Sequence, residues 1–228
     1  MKKSIKIAII IGFFLIIIIA ISWSIWFSYQ QSQTVFQRTL SSIGYKKPDS
    51  NVVNGIVFLG DSITKREDWN VLFNNSSIIN AGIPGNTTDD VLNRLGVITK
   101  NKPYKIFLMI GINDLLNGQD VNHVIANYRA ILNEIRESSP DTIIYVQSIL
   151  PVNNNILKSE TVENQEIMLV NNEIEKSADG NKIIFIDLYP SFCDSENSLY
   201  GKYSQDGLHP NSHGYSVWKE LIEKYEII

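Results

Sequence analysis

With one cysteine in 228 residues, Cys193, the chain can form no internal disulfide, and Cys₄ or Cys₂His₂ zinc sites are excluded with it. The first 27 residues contain no Asp or Glu, although Lys2, Lys3 and Lys6 lie among them. From residue 28 onward 17 cations face 24 anions, so the body is acidic. It carries no broad basic footprint for phosphate backbones, and no nucleic-acid partner is expected. Internal repeats and low-complexity tracts are missing beyond one apolar run. Against these absences stand 44% hydrophobic and 19% charged residues, a globular balance that excludes a disordered or collagen-like chain. The length suits one domain plus a short extra segment.

That extra segment is N-terminal. Ile7 to Phe27 is a 21-residue run interrupted only by Gly12, Ser22 and Ser24 and free of charge. As a helix it would reach about 31 Å, the thickness of a bilayer's hydrocarbon core. Trp23, Trp26 and Tyr29 sit at its far end, where amphipathic rings favour an interface. Three lysines precede the run and only Arg38 follows closely. The charge bias predicts a cytoplasmic basic tail (1–6), a transmembrane anchor (7–27) and an extracytoplasmic body. A cleaved signal ending near Ala20-Ile21-Ser22 is the alternative, which would make the body secreted. Residues 28–52, polar and Gln-rich, read as a stalk leading into a domain over 53–228.

The body alternates strand-length apolar runs with helical patterns. The runs are Ile56–Leu59, Ser77–Asn80, Lys105–Ile110, Thr142–Gln147 and Lys182–Asp187. Within them Ile106–Ile110 and Ile143–Val146 are continuous rather than alternating, as strands covered on both faces should be. Helical spacing follows Asp120 as N-cap, through Val121, Val124, Ile125, Tyr128, Ile131, Leu132 and Ile135, and stops before Pro140. Further helices are predicted near Asp89–Ile98, with Thr88 as N-cap, and at Thr161–Ser177 and Ser212–Tyr225. The alternation predicts a parallel sheet with helices on both faces, whose ligands bind outside the carboxyl ends of the strands.

Four short blocks fall at or near that edge. Gly60-Asp61-Ser62-Ile63 follows the first strand and exposes a hydroxyl near a helix N-terminus, although the same residues make an ordinary turn. Gly82, after the second strand, lets backbone approach a ligand and offer a bare N–H, or merely opens a helix-entry loop. Gly111-Ile112-Asn113-Asp114 places an amide donor at the end of the third strand; an Asx turn is its plain reading. Asp206-Gly207-Leu208-His209 has the spacing at which a carboxylate can fix its own histidine's tautomer and leave the other nitrogen as a base, although such a loop is often just solvated.

Taken in order, these blocks resemble the SGNH/GDSL hydrolases over residues 53–228. The resemblance implies an α/β fold: a three-layer α/β/α, flavodoxin-like sandwich with a five-stranded parallel sheet. It further implies Ser62 as nucleophile, His209 as base, Asp206 as its orienting acid, and an oxyanion hole from the Ser62 and Gly82 amides with the Asn113 side chain. No metal or organic cofactor is implied. The expected activity is serine ester hydrolysis of acyl or acetyl groups on a small-molecule, carbohydrate or lipid ester, outside the cytoplasm. An O-acyltransferase acting on envelope carbohydrate and a non-catalytic, membrane-tethered binding module are the alternatives.

Other polar residues have duller readings. His213 lies on the surface or a pocket rim, His123 faces solvent, Asp61 braces a turn, and nothing marks Cys193 as reactive.

Overall fold

The five apolar runs become five parallel strands: β1 (Ile56–Gly60), β2 (Ile78–Gly82), β3 (Lys105–Met109), β4 (Ile143–Gln147) and β5 (Ile183–Ile186). The computed structural model describes residues 55–158 and 162–225, with Trp23, Ser24 and Phe27 besides. The chain divides into two units, Met1–Ser42 and Ile43–Ile228, and all that follows concerns the second. Among the described residues no helix is long and apolar enough to cross a membrane. The anchor expected at 7–27 lies outside them, apart from three exposed positions.

Strand order is β2-β1-β3-β4-β5, the flavodoxin-like order. The helices are α1 (Ser62–Lys65), α2 (Trp69–Phe73), α3 (Thr88–Thr99), α4 (Ile112–Leu116), α5 (Val121–Ser138), α6 (Asn154–Leu157), α7 (Asn164–Glu175), α8 (Tyr189–Phe192) and α9 (Ser212–Ile222), the last ending in a 3₁₀ turn, Glu223–Tyr225. Register puts Phe58 opposite Phe107 and Phe107 opposite Tyr145, so one sheet face carries an aromatic ladder with ring centroids 4.8 and 4.6 Å apart. Trp69 of α2 stacks on Phe58 at 4.2 Å, and Trp218 of α9 meets Trp69 edge-on. The pleat turns Val57, Leu59, Ile106, Leu108, Ile144 and Val146 to the other face, where all are buried. There α3, α5 and α7 pack side by side, completing three layers.

Helix α5 starts and stops where its pattern predicts: Asp120 caps it, and the side chains from Val124 to Ile135 on its apolar stripe are buried. The entry to α3 differs from expectation. Thr87 is the N-cap, closed by a reciprocal pair of bonds with Asp90. Thr88 stands one residue inside, and its N–H and hydroxyl both donate to the Asp114 carboxylate. The Asp114 carboxylate, buried in α4, needs those donors, which engages Thr88 while Asp90 closes the cap on Thr87.

Candidate active site

The turn from β1 into α1 is set by Asp61. Its Oδ1 accepts the Ile63 N–H at 2.8 Å, which caps α1 and makes Ser62 the first helical residue. The Ser62 N–H therefore belongs to the helix's unpaired donors, and its hydroxyl stands at the sheet's carboxyl edge. On the opposite chain segment, the loop before α9 is tied at both ends. Asn153 N–H donates to the Gly207 carbonyl at 2.8 Å, Asn211 N–H to Tyr203 at 2.7 Å, and the Asn211 side chain caps α9. Tyr215 of α9 donates its hydroxyl to the Ile63 carbonyl at 2.6 Å, joining the two segments directly.

This arrangement brings three of the sequence-predicted residues into one file. Ser62 Oγ lies 2.8 Å from His209 Nε2, and His209 Nδ1 lies 2.8 Å from Asp206 Oδ2. The other oxygen of Asp206 accepts the Leu208 and His209 N–H groups at 3.0 and 2.8 Å. Burial acts to raise the Asp206 pKa, but the two N–H donors and the imidazole outweigh it and hold the carboxyl well below the usual range. An ionised carboxylate only accepts, so Nδ1 carries the ring proton and the Nε2 lone pair faces Ser62. Arg66 Nη1 reaches Asp206 Oδ2 at 3.4 Å, but both groups are about half exposed and the pair contributes little.

Asn113 is held by its side chain: Nδ2 donates to the Asn86 carbonyl at 2.9 Å, fixing the amide plane and leaving its second hydrogen. Gly82 departs from the reading made from sequence. Its N–H donates to Asn80 Oδ1 at 3.0 Å and so is committed within its own strand end. What Gly82 supplies is room, since a Cβ there would lie 2.5 Å from Lys65 N and 2.7 Å from the Asp61 carbonyl. Three residues on, Gly85 has φ +78° and open space around it, and its N–H makes no hydrogen bond among the described residues. Sequence spacing alone did not single it out, because the sign of φ is not written in a glycine.

Beneath the surface lies a polar layer the sequence reading missed. Asp61 is buried, its Oδ2 has no partner, and burial pushes its pKa from 3.8 to about 7. Burial also raises Asp114, against the bonds from Thr88. Arg94, buried in α3, donates from Nη2 to the Gly60 carbonyl at 3.0 Å and from Nε to Asn86 Oδ1 at 2.8 Å. A cation among Val91, Leu95 and Ile98 on the buried face was the available signal.

Asp89, Asp114 and His123 offer ligand atoms within 4.8 Å of one another. These atoms are engaged already, His123 with Asp89 at 2.8 Å and Asp114 with Thr88, and the group reads as a tie between α3, α4 and α5. His123 is thus paired as well as partly exposed. His213 is exposed and stacks on Tyr203 at 5.5 Å. Burial pushes the Cys193 thiol up to about 11, far from a reactive thiolate.

Comparison with known proteins finds the GDSL-like Lipase/Acylhydrolase family matching residues 58–217. Platelet-activating factor acetylhydrolase IB subunit alpha1 of Pongo abelii is 28% identical over 171 residues, spanning 71% of this chain and 70% of that protein. The alpha2 subunit of Rattus norvegicus is 28% identical over 187 residues, 78% of this chain and 76% of its own. A solved structure from Streptococcus pneumonia, reported under the name of platelet activating factor, superposes with TM-score 0.74 at 27% identity, covering 87% of this chain and 98% of that one.

Proposed function

The chain belongs to the GDSL-like lipase/acylhydrolase family and is a serine esterase of that type, and from that premise we propose that it removes short, acetyl-type acyl groups through an acyl-enzyme on Ser62. The observation that carries this reading is the file of 2.8 Å contacts from Ser62 through His209 to Asp206. The acetylhydrolase names of the relatives at 28% identity support the short acyl group.

In the first half-reaction Ser62 Oγ attacks the ester carbonyl while its proton passes to His209 Nε2, so no free alkoxide is required. The imidazolium is stabilised by Asp206, which is already ionised. The carbonyl oxygen becomes an oxyanion, and each well-aimed donor contributes about 3–4 kcal/mol to holding it. The donors are the Ser62 N–H, the second hydrogen of the Asn113 amide and the Gly85 N–H, in place of Gly82. Collapse expels the alcohol, which takes the proton from His209. Water then repeats the attack with His209 as base, and release of the acid returns the proton to Ser62.

The apolar run at 7–27 with its preceding lysines supports a single-pass anchor that presents this site outside the cytoplasm. O-acetylated envelope carbohydrate and lipid esters are the substrates accessible from there. The test is a chain-length series of p-nitrophenyl esters with the wild type and Ser62→Ala. Acetate is expected to be turned over fastest, and Ser62→Ala to be inactive while folded. Preference for decanoate would overturn the acyl assignment, and activity in Ser62→Ala the mechanism. Alkaline extraction of membranes carrying the full chain tests the anchor: retention supports it, release removes it.

A further inference from the structure

The three segments that would supply the oxyanion donors come from different strand ends, and nothing in the primary file of Ser62, His209 and Asp206 holds them at one spacing. Arg94 does. Its guanidinium spans two acceptors, the Gly60 carbonyl at the end of β1 and Asn86 Oδ1 in the β2–α3 loop, at 3.0 and 2.8 Å. The Gly60 carbonyl also accepts the Ile83 N–H at 3.1 Å, so it already joins β1 to that loop. Asn86 in turn accepts the Asn113 amide on its backbone carbonyl at 2.9 Å. One fork therefore connects the residue two before Ser62, the residue after Gly85, and the side chain of Asn113.

We propose that Arg94 is a positioning residue for the oxyanion cradle, setting the distance between the Ser62 turn and the Asn113 amide through Gly60 and Asn86. The inference rests on the reading of Asn113 as an oxyanion donor. The chemistry requires arginine: a planar guanidinium can donate to two acceptors in fixed directions, whereas a lysine ammonium on its flexible stem fixes neither. Stability alone would be served by an apolar side chain at this stripe position, with no need to desolvate a cation. Burial lowers the Arg94 pKa to about 10, which still leaves it charged at neutral pH.

The test is a double-mutant cycle with Arg94→Lys and Asn113→Ala, reading kcat and KM on p-nitrophenyl acetate and the melting temperature of each variant. Arg94→Lys is expected to lower kcat by about tenfold or more with KM within about twofold, and to cost less than about threefold once Asn113 is alanine. Equal fold-losses in both backgrounds, or a fall in melting temperature with kcat unchanged, would overturn the proposal. An unaltered kcat in Asn113→Ala alone would instead overturn the oxyanion reading beneath it. Should Arg94→Lys not fold, Asn86→Ala removes the same acceptor from a half-buried loop position and keeps the carbonyl that holds Asn113. It is expected to show the same coupling, and multiplicative effects would count against the proposal.

Discussion

Gly82→Ala probes the seat of the nucleophile turn without touching any reacting group. The new Cβ would lie 2.5 Å from Lys65 N, 2.7 Å from the Asp61 carbonyl oxygen and 2.9 Å from Lys65 Cα. All three are backbone atoms, so no rotamer change relieves the clash. Two of them are the donor and acceptor of the 3.0 Å bond that closes the first turn of α1. Restoring ordinary van der Waals separation requires β2 and that turn to part by about 1 Å. Overpacking of this kind costs about 1–3 kcal/mol in stability. A displacement of about 1 Å between Ser62 Oγ and His209 Nε2 costs about 10²-fold in rate. The assays are thermal unfolding and kcat on p-nitrophenyl acetate. Gly201→Ala serves as the control, since a Cβ there meets nothing within 4 Å. Wild-type kcat and melting temperature in Gly82→Ala would refute the packing of β2 against the nucleophile turn.

Three further outcomes are expected. Asp206→Asn keeps an acceptor for the Leu208 and His209 N–H groups but can present an N–H to the imidazole, so kcat should fall about 10⁴-fold with the fold intact; a loss under tenfold would contradict the orienting role. Asp61 keeps its proton in the folded state up to about pH 7 and releases it near pH 4 when unfolded. Its contribution to stability is therefore fully present below about pH 4 and is lost as pH rises toward 7, a change on the order of 4 kcal/mol. Urea unfolding of Asp61→Asn should flatten that slope, and parallel pH curves for mutant and wild type would contradict it. Gly96 is exposed in the middle of α3, where a Cβ would lie 4.0 Å from Glu134 Oε1. Gly96→Ala should raise stability by about 1 kcal/mol, and a lower melting temperature would contradict an unstrained helix there.

What could be read from sequence follows from how local the determinants are. Ile106–Ile110 announced a strand covered on both faces because both faces are apolar, and α5 was legible because its 3.6-residue stripe and Asp120 cap lie within one segment. The helices α2, α6 and α8 are four or five residues long, too short for a period. The first of them is held from outside, with the Trp69 indole donating to the Thr64 carbonyl at 2.8 Å. Thr87 and Thr88 are chemically identical neighbours: Asp90, three positions past Thr87, closes the cap on one, and Asp114, 26 positions from Thr88, engages the other. Gly82 and Gly85 are equally bare in sequence; the Asn80 side chain takes the N–H of one and leaves that of the other. Ser62, His209 and Asp206 were found because their order and spacing are written in short blocks. Arg94 was not, because its meaning depends on two acceptors, 34 and 8 positions away.

The most direct measurement is intact-protein and peptide mass spectrometry after exposure to a fluorophosphonate. One adduct per chain is expected, on the peptide holding Ser62, with a labelling rate that collapses in His209→Ala. Efficient ester turnover with Ser62 left unlabelled, or labelling that persists undiminished without the imidazole, would contradict it.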